Sequence, residues 1–320
     1  MITVLGAGVA GLCAATALAE RGVRVQVLDR APEGSGASWL AGGMLAPFAE
    51  GESAPAKVAL LGASAADWWH ARTPGVARHG TLVLAPARDR AELDRFAART
   101  EGHERIDADR IAELEPDLAG RFRSALFYAG EAHLDPRLAL TALADGLRGR
   151  GVQIRYGVQT APDGADIDCR GLAARDVLPD LRAVRGEMLL LRCPDVTLSR
   201  PVRLLHPRFP VYIVPRGAGL FMVGATMVET DAAGPITLRS AMELMAAAFA
   251  VHPGFAEAAI VETGVGLRPA FPDNVPRIRT AGGRLHLNGL YRHGFLTAPA
   301  LAEQLADAFL AARQEVCLAN

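Results

Sequence analysis

The first thirty residues constrain the fold of this chain more than any other stretch. A short apolar run at residues 2–5 precedes the sequence Gly-Ala-Gly-Val-Ala-Gly at residues 6–11, and an alanine-rich segment then continues to Gly22. A second apolar run, residues 23–28, ends at Asp29. This order predicts a strand, a tight turn, a helix and a second, parallel strand, which is the βαβ unit of dinucleotide-binding folds.

The glycines of this turn each have a physical reason. Gly6 allows a sharp exit from the strand, Gly8 lets a pyrophosphate approach the backbone, and Gly11 lets the helix pack closely on the sheet. The helix N-terminus offers free N–H groups and the positive end of its dipole to phosphates. Asp29 can accept hydrogen bonds from ribose hydroxyls. We therefore predict a dinucleotide site here, with an ordinary βαβ unit that has glycines at a turn as the alternative.

Composition limits the remaining classes of function. The chain has 320 residues, half of them hydrophobic, which is enough for one large or two medium domains. Its net charge of −1, without long runs of one sign, argues against a nucleic-acid or anionic-membrane partner. Four widely spaced cysteines form no CxxC pair, so neither a metal site nor a disulfide framework is predicted. With no signal-peptide pattern and no apolar run of roughly 18 residues, we expect a soluble cytoplasmic protein.

The rest of the chain alternates between helical and strand patterns. A stretch of small residues at 34–47, including Ser35 and Ser38, could lie against a flat or charged ligand. Helices are predicted at residues 57–72, 89–100, 109–114, 135–150, 238–251 and 296–312, and strands at 80–84, 124–128, 152–155, 166–169, 184–192, 211–214, 220–224 and 285–288. Hairpins thus occupy the middle of the chain, and α/β structure returns at its end. This order predicts an α/β fold in which a Rossmann-like nucleotide-binding domain carries an inserted substrate domain.

Several spaced motifs carry a resemblance to one flavoprotein family. They lie at residues 6–11, 36–45, 211–216, 223–227, 266–269 and 289–299. In this combination the sequence resembles the D-amino-acid-oxidase-like family of FAD-dependent oxidoreductases and, within it, the glycine oxidases of thiamine biosynthesis. The resemblance implies non-covalently bound FAD, oxidation of a small amino acid or amine to an imine, and transfer of electrons to dioxygen to give hydrogen peroxide.

The resemblance also implies how the domains are arranged. A discontinuous Rossmann-like FAD-binding domain would comprise residues 1–75, 131–183 and 259–320. An α+β substrate domain built on an antiparallel sheet would comprise residues 76–130 and 184–258. Relatives form homo-oligomers, so self-association is implied as well, whereas no nucleic-acid or membrane partner is expected. In thiamine biosynthesis the imine of glycine feeds thiazole formation, and the sequence leaves open whether a partner enzyme receives it.

The glycine turn and the resemblance together assign the FAD contacts. The residues are Gly6, Gly8, Val9, Ala10, Gly11, Asp29, Arg30, Ala37, Ser38, Gly42, Gly43, Met44, Val158, Leu290, Tyr291, Arg292, His293, Gly294, Phe295 and Leu296. By the resemblance, the loop at residues 290–296 would lie at the flavin ring and Val158 would contact the adenosine end through its backbone. The N-terminus of the last helix, near Phe295 and Leu296, could direct its dipole at the flavin.

The resemblance assigns three catalytic residues and one pocket residue. Tyr212 and Arg268 would hold the substrate carboxylate, Arg292 would lie beside the substrate, and Met227 would border the pocket. These residue types suit the task, because arginine offers two parallel donors to a carboxylate and a tyrosine hydroxyl adds a neutral donor. Without the resemblance, Tyr212 and Met227 are equally well explained as core residues, and Arg268 as a surface ion-pair residue.

The sequence departs from the family pattern in three places, which leaves alternatives open. Phe271 follows the Gly-Leu-Arg-Pro motif where a small residue is usual, the segment 159–166 is short, and His293 stands where asparagine is common. The first alternative is a flavin-dependent dehydrogenase of sarcosine, proline or a D-amino acid that uses another electron acceptor. The second is a nicotinamide-dependent dehydrogenase, and the third is a non-enzymatic module that keeps FAD as a structural ligand.

Overall fold

The computed structural model describes residues 1–159, 165–206 and 210–318. Its helices are α1 (Val9–Glu20), α2 (Ala56–Gly62), α3 (Ala65–His70), α4 (Arg90–Ala97), α5 (Ala108–Leu114), α6 (Pro136–Gly149), α7 (Leu238–Val251) and α8 (Gly294–Leu318). Its strands are β1 (Ile2–Leu5), β2 (Val25–Leu28), β3 (Met44–Leu45), β4 (Thr81–Leu84), β5 (Glu104–Asp107), β6 (Ser124–Tyr128), β7 (Ala132–His133), β8 (Gln153–Arg155), β9 (Ile167–Asp168), β10 (Arg182–Arg192), β11 (Val202–Leu204), β12 (Val211–Pro215), β13 (Leu220–Gly224), β14 (Val228–Glu229), β15 (Ala259–Ala270), β16 (Arg277–Ala281) and β17 (Arg284–Asn288).

The first sheet contains the βαβ unit that the opening residues predict. Its order is β16-β17-β9-β1-β2-β8, and β1 pairs in parallel with β2 on one side and with β9 on the other. Strands β1 and β9 are fully buried, as apolar strands between helical layers must be. The carboxyl ends of the parallel strands therefore form one edge, and the glycine turn at residues 6–11 leaves the sheet there.

Helix α1 is buried along almost its whole length, which its alanine-rich sequence permits. It contacts α8 most extensively and also α6. A Cβ atom on Gly11 would overlap the carbonyl oxygen of Gly6, so only glycine allows this close approach of helix to turn. Helix α6 begins as predicted, with the Asp135 carboxylate accepting from the Arg137 N–H at 2.8 Å and Pro136 in the first turn.

The second sheet has nine strands in the order β14-β10-β13-β12-β11-β4-β6-β5, with β15 paired to β10. Its pairs are antiparallel, except that β11 and β4 run in parallel. Helix α7 packs on β10, β12 and β13, and together these elements enclose a second hydrophobic core. The fold class is confirmed: a mostly parallel α/β sheet, in which only β16 and β17 pair antiparallel, is combined with a largely antiparallel sheet.

The structure differs from the predicted elements in several places. The helix expected at residues 57–72 is two short helices, α2 and α3. Strands β5, β11 and β16 were not predicted, because each is short and lacks a clear alternation of apolar and polar residues. Strand β15 is twelve residues long and lies in a region for which no strand was predicted.

Strand β15 also bears on the domain boundaries, which otherwise stay predictions. The predicted boundary at 258/259 would place it in the FAD-binding domain, but it pairs with β10 along that strand's whole length in the second sheet. Its half-buried pattern shows no simple alternation, and long-range pairing decides its place. Most of the segment 159–166 lies outside the described residues.

Three cysteines, Cys13, Cys169 and Cys193, are buried and free, while the side chain of Cys317 lies outside the described part. Within the described ranges no group of three histidine, cysteine or acidic side chains could hold a metal ion. Likewise, no described helix has the length and apolar character needed to cross a membrane.

Candidate active site

The glycine turn and the small-residue stretch meet at the N-terminus of α1. The hydroxyl of Ser38 accepts a hydrogen bond of 3.1 Å from the Val9 N–H, which places the short 3₁₀ helix Ala37–Leu40 beside the turn. The remaining N–H groups of the first helical turn have no partner four residues earlier in the helix. Backbone donors, the helix dipole and a hydroxyl thus converge where a phosphate group would be bound.

Asp29 stabilises the same turn through hydrogen bonds to its backbone. Its Oδ2 accepts from the Ala7 N–H at 2.6 Å, and its Oδ1 accepts from the Ala31 N–H at 2.8 Å. The Val158 N–H in turn donates to the Asp29 carbonyl at 3.0 Å, so the end of β8 closes over the end of β2. Each carboxylate oxygen has a further lone pair, and the predicted contact of Asp29 with ribose hydroxyls stays a prediction.

The loop at residues 290–296 also reaches this end of α1. A Cβ atom on Gly294 would lie 3.2 Å from a Val9 methyl group, so the start of α8 packs against the start of α1. The side chains of Leu290, Phe295 and Leu296 are buried in the core of the first sheet, which leaves their backbone as the part that can contact a ligand. The Phe295 carbonyl accepts from the indole of Trp69 at 2.7 Å.

Arg216, to which the sequence reasoning gave no function, fixes the small-residue stretch from the side of the second sheet. Its guanidinium donates to the carbonyls of Leu134 at 2.6 Å, Ala41 at 2.9 Å and Gly42 at 3.0 Å. Burial lowers the pKa of Arg216 to about 10, which still leaves it charged at neutral pH. The sequence signal for Arg216 was its position directly after the apolar strand β12. An arginine at the end of a buried strand needs hydrogen-bond acceptors nearby, which indicates a structural contact.

Tyr212 and Arg268, the predicted carboxylate ligands, come from strands β12 and β15 of the second sheet, between which β13 and β10 lie. The ring of Tyr212 lies over Gly42, so close that a Cβ atom there would be 2.8 Å from the ring. A Cβ atom on Gly186 of β10 would overlap the guanidinium of Arg268, which extends from the neighbouring β15. Gly186 therefore makes the room that Arg268 occupies, and this glycine could not have been identified from sequence.

Arg268 is held at one end only. Its Nη1 donates to the carbonyl of Thr226 at 3.0 Å. The Thr226 hydroxyl donates to the Glu187 carboxylate at 2.9 Å, and Glu187 is itself paired with Arg185 at 2.7 Å. Burial lowers the pKa of Arg268, and among the described residues no carboxylate is within ion-pair distance of it. Its remaining donors are therefore available to a carboxylate ligand.

Arg292, the third predicted catalytic residue, has a carboxylate partner. Its Nη2 lies 3.3 Å from Oε2 of Glu50, and its Nη1 lies 3.3 Å from the sulfur of Met227. The hydroxyl of Tyr291 contacts the same sulfur at 3.4 Å. Burial alone would lower the pKa of Arg292, but the neighbouring Glu50 carboxylate raises it. Met227 is 46% exposed, which suits the border of a pocket better than a core position.

Glu50 is the centre of a cluster of charges that the sequence analysis missed. It is 7% exposed, and Arg203, which lies 3.7 Å away, is 2% exposed. Nδ1 of His293 is 3.4 Å from Oε2 of Glu50, the oxygen that also pairs with Arg292. Burial alone would raise the pKa of Glu50, but the surrounding cations, Arg292 foremost, lower it to about 2. The only sequence signal was a single acid at the end of an apolar stretch.

Two further buried groups surround this cluster. Burial lowers the pKa of His293 to about 4, so its ring is neutral at physiological pH. Glu131 accepts from the backbone N–H groups of Ala49 at 2.7 Å and Phe48 at 3.2 Å, and thereby holds the segment that carries Glu50. Burial raises the pKa of Glu131 to about 7.

A cavity of about 230 Å³ adjoins the cluster. Its lining includes Arg203, Met227, Tyr291, Arg292 and His293, whereas Arg268 and Tyr212 lie next to it rather than in its wall. The arrangement can bind a small anion in partly dry surroundings, with a cation on each side. It offers no histidine paired with a nucleophile, and no metal cluster occurs in the described ranges.

Known proteins resemble this chain along nearly all of its length. A sequence model of the family described as "DAO: FAD dependent oxidoreductase" matches residues 1–308. A Rhizobium etli protein, provisionally named thiamine biosynthesis oxidoreductase ThiO, is 58% identical over 314 residues, which cover 97% of this chain and 96% of that protein. Glycine oxidase of Pseudomonas putida is 29% identical over 349 residues, which cover 96% and 93%.

A solved structure agrees with the fold. Glycine oxidase from Bacillus cereus superimposes with a TM-score of 0.80 over 97% of this chain and 95% of that chain, at 22% sequence identity. At this level of identity the likeness concerns the fold.

Proposed function

Because this chain belongs to the DAO family of FAD-dependent oxidoreductases, we propose that it oxidises glycine or a similar small amino acid to the imine. Dioxygen is the electron acceptor and hydrogen peroxide the second product. The reaction belongs to thiamine biosynthesis, where an imine of glycine is needed for the thiazole. The relatives named for ThiO and glycine oxidase support this function, and so does the carboxylate site around Arg268.

The residues at the first sheet fit FAD. The N-terminus of α1 with the Ser38 hydroxyl suits the pyrophosphate, and the Asp29 carboxylate suits a ribose. The backbone at Ala41 and Gly42, fixed by Arg216, lies between this end and Tyr212, where an extended cofactor must pass to reach the substrate. When bound, FAD accepts a hydride from the substrate Cα and passes the two electrons to dioxygen.

The observation that carries the proposal is the state of Arg268. It is a half-buried guanidinium with one fixed donor and no carboxylate partner among the described residues. A buried unpaired cation is costly, and a bound carboxylate removes that cost. Tyr212 is close enough to affect the pKa of Arg268 after burial itself, so its hydroxyl can add a neutral donor to the same carboxylate.

The contribution of the chain to the reaction is mainly positioning. Arg268 and Tyr212 hold the carboxylate, which fixes the orientation of the Cα–H bond. A substrate whose amine is already neutral loses the hydride from Cα and then needs no side-chain base. This agrees with the lowered pKa of the buried His293, about 4, which makes its ring a weak base. Met227 and Tyr291 border the side from which a small substrate enters through the cavity.

Other parts of the predicted function stay predictions. They are the individual FAD contacts, self-association, the cytoplasmic location, and delivery of the imine to a partner enzyme. None of them is needed for the chemistry proposed here.

The visible absorption spectrum of the purified protein tests the proposal. We expect flavin bands that bleach when glycine is added without oxygen, and peroxide release when air is admitted. If only another amine bleaches the flavin, the enzyme class stands and that amine, rather than glycine, is the substrate. A colourless protein that does not take up FAD would overturn the proposal.

A further inference from the structure

We propose that Glu50 restricts the active site to substrates with a single carboxylate, because it neutralises Arg292 and leaves Arg268 as the one cation without a carboxylate partner in the described site. This inference rests on the proposed function, since it assumes that the substrate carboxylate binds Arg268. It extends that function to the substrate class that the site rejects, namely amino acids with a second anionic group.

The charges around the site balance closely. Three arginines that are at least half-buried, at positions 203, 268 and 292, lie around the carboxylates of Glu50 and Glu52. Glu52 also pairs with Arg99, but that guanidinium is 61% exposed and water screens its charge. His293 has a pKa of about 4 and adds no charge at neutral pH. The cluster therefore carries one positive charge when Glu131 is protonated, and ionisation of Glu131 can only lower that total. One bound carboxylate satisfies this excess, and a second would find no further unpaired cation among the described residues of the site.

The second carboxylate of a longer substrate would lie close to Glu50. Arg203, Tyr291 and Arg292 line the 230 Å³ cavity. Arg268 is close enough to Arg292 and Tyr291 for these two residues to affect its pKa. A substrate held at Arg268 with a longer substituent would extend into this cavity and reach Arg292. That guanidinium is already within 3.3 Å of Glu50, whose carboxylate repels a second anion.

Burial strengthens the repulsion between Glu50 and a second substrate carboxylate. Glu50 and Arg203 are almost completely buried, so water and salt screen their charges much less than those of surface residues. A like charge brought beside a desolvated carboxylate costs several kcal/mol, whereas the same juxtaposition at a surface costs little.

The test compares two substrates that differ in one charged group. N-ethylglycine and iminodiacetate are both secondary amines of similar length, but only iminodiacetate has a second carboxylate. In the wild-type enzyme we expect kcat/KM for N-ethylglycine to exceed that for iminodiacetate. Glu50→Gln keeps the shape of the side chain, removes its charge and replaces one acceptor oxygen by an N–H donor. It should shift this ratio at least about tenfold toward iminodiacetate.

A double variant and a control separate charge from loss of structure. Glu50→Gln combined with Arg292→Gln removes the released cation, so the ratio should return toward the wild-type value. Glu115→Gln breaks another buried pair, with Arg200 at 2.7 Å, in the other part of the molecule, and should leave the ratio unchanged. A ratio that Glu50→Gln does not change would overturn the proposal.

Ligand binding to the wild-type protein provides a second test that does not depend on whether the Glu50 variant folds. Acetate and malonate, which differ in the second carboxylate, can be titrated into the wild-type holoprotein while the flavin spectrum is monitored. We expect acetate to bind at least as tightly as malonate, and tenfold tighter binding of malonate would contradict the proposal. This measurement needs no turnover, so it also separates failure of this inference from failure of glycine to be oxidised.

Discussion

The backbone N–H of Tyr291 donates a hydrogen bond of 2.9 Å to the carbonyl of Pro269, which joins the loop of Arg292 to the strand of Arg268. The two arginines come from a loop after the first sheet and from a strand of the second sheet. The spacing of the two cations is therefore set by backbone geometry rather than by side-chain contacts between them. Their difference in function then follows from Glu50, which pairs with Arg292.

Arg268→Ala should raise KM for glycine strongly while FAD remains bound. Removal of a desolvated charged contact to the ligand costs about 2–5 kcal/mol, and at about 1.4 kcal/mol per tenfold change this is more than a tenfold effect. Steady-state kinetics and the flavin spectrum of the same preparation measure both parts. Arg105→Ala, which removes an exposed arginine paired with Asp94, is the matched control and should leave KM unchanged. An unchanged KM in Arg268→Ala would exclude it as the carboxylate ligand.

Gly186→Ala should weaken glycine binding without removing any group that could contact glycine. The added methyl group would overlap the guanidinium of Arg268, which must then move from its position at the Thr226 carbonyl. We expect KM to rise and FAD content to stay near the wild-type level. Gly146→Ala, in helix α6 with open space around it, is the control and should change neither quantity. If both variants behave alike, Arg268 does not depend on the space above Gly186.

Local patterns predicted the parts of the fold that local physics determines. The βαβ unit, the capped start of α6 at Asp135 and the bounds of α7 follow from turn glycines, a helix cap and apolar periodicity. Long-range pairing decided the rest. Strand β15 is specified by its partner β10. The break between α2 and α3 follows Gly62, but a single glycine inside an apolar helical pattern is tolerated and does not by itself mark a helix end.

The same distinction applies to the site. Arg268, Arg292 and Tyr212 were predicted as site residues because they belong to motifs that resemble those of a known family. Glu50 was missed because its meaning depends on Arg292, which is 242 residues away in the sequence. Gly186 and Arg216 were missed for the same reason, since each acts on a segment far along the chain.

Arg216→Met should reduce the fraction of protein that retains FAD. The variant leaves the carbonyls of Leu134, Ala41 and Gly42 without their donor, and each unsatisfied buried group costs about 1–3 kcal/mol. The small-residue stretch next to Tyr212 should then become less ordered. The ratio of flavin to protein absorbance after gel filtration measures the retained cofactor. Arg99→Met, which removes an exposed surface arginine, should retain FAD fully. Full retention by Arg216→Met would show that this stretch holds its shape without the arginine.

The buried Glu131 should make the folded protein less stable as pH rises from about 4.5 to 7. Burial raises its pKa from 4.5 to about 7, so in this range the folded state binds a proton that the unfolded state has lost. Stability must then fall with pH, by about 3 kcal/mol at about 1.4 kcal/mol per pKa unit, and level off above pH 7. His133 and His293 act in the opposite direction, because their lowered pKa values stabilise the folded state as pH rises through about 4 to 6.5.

A comparison with Glu131→Gln isolates this contribution, because the two histidines are present in both proteins and cancel. Chemical denaturation of each protein between pH 4.5 and 8 gives the difference in the free energy of unfolding. We expect the wild type to lose stability relative to Glu131→Gln as pH rises, since only the wild type must ionise a buried carboxyl that accepts from the Ala49 N–H. A difference that does not change with pH would mean that Glu131 ionises in the folded protein at its ordinary pKa.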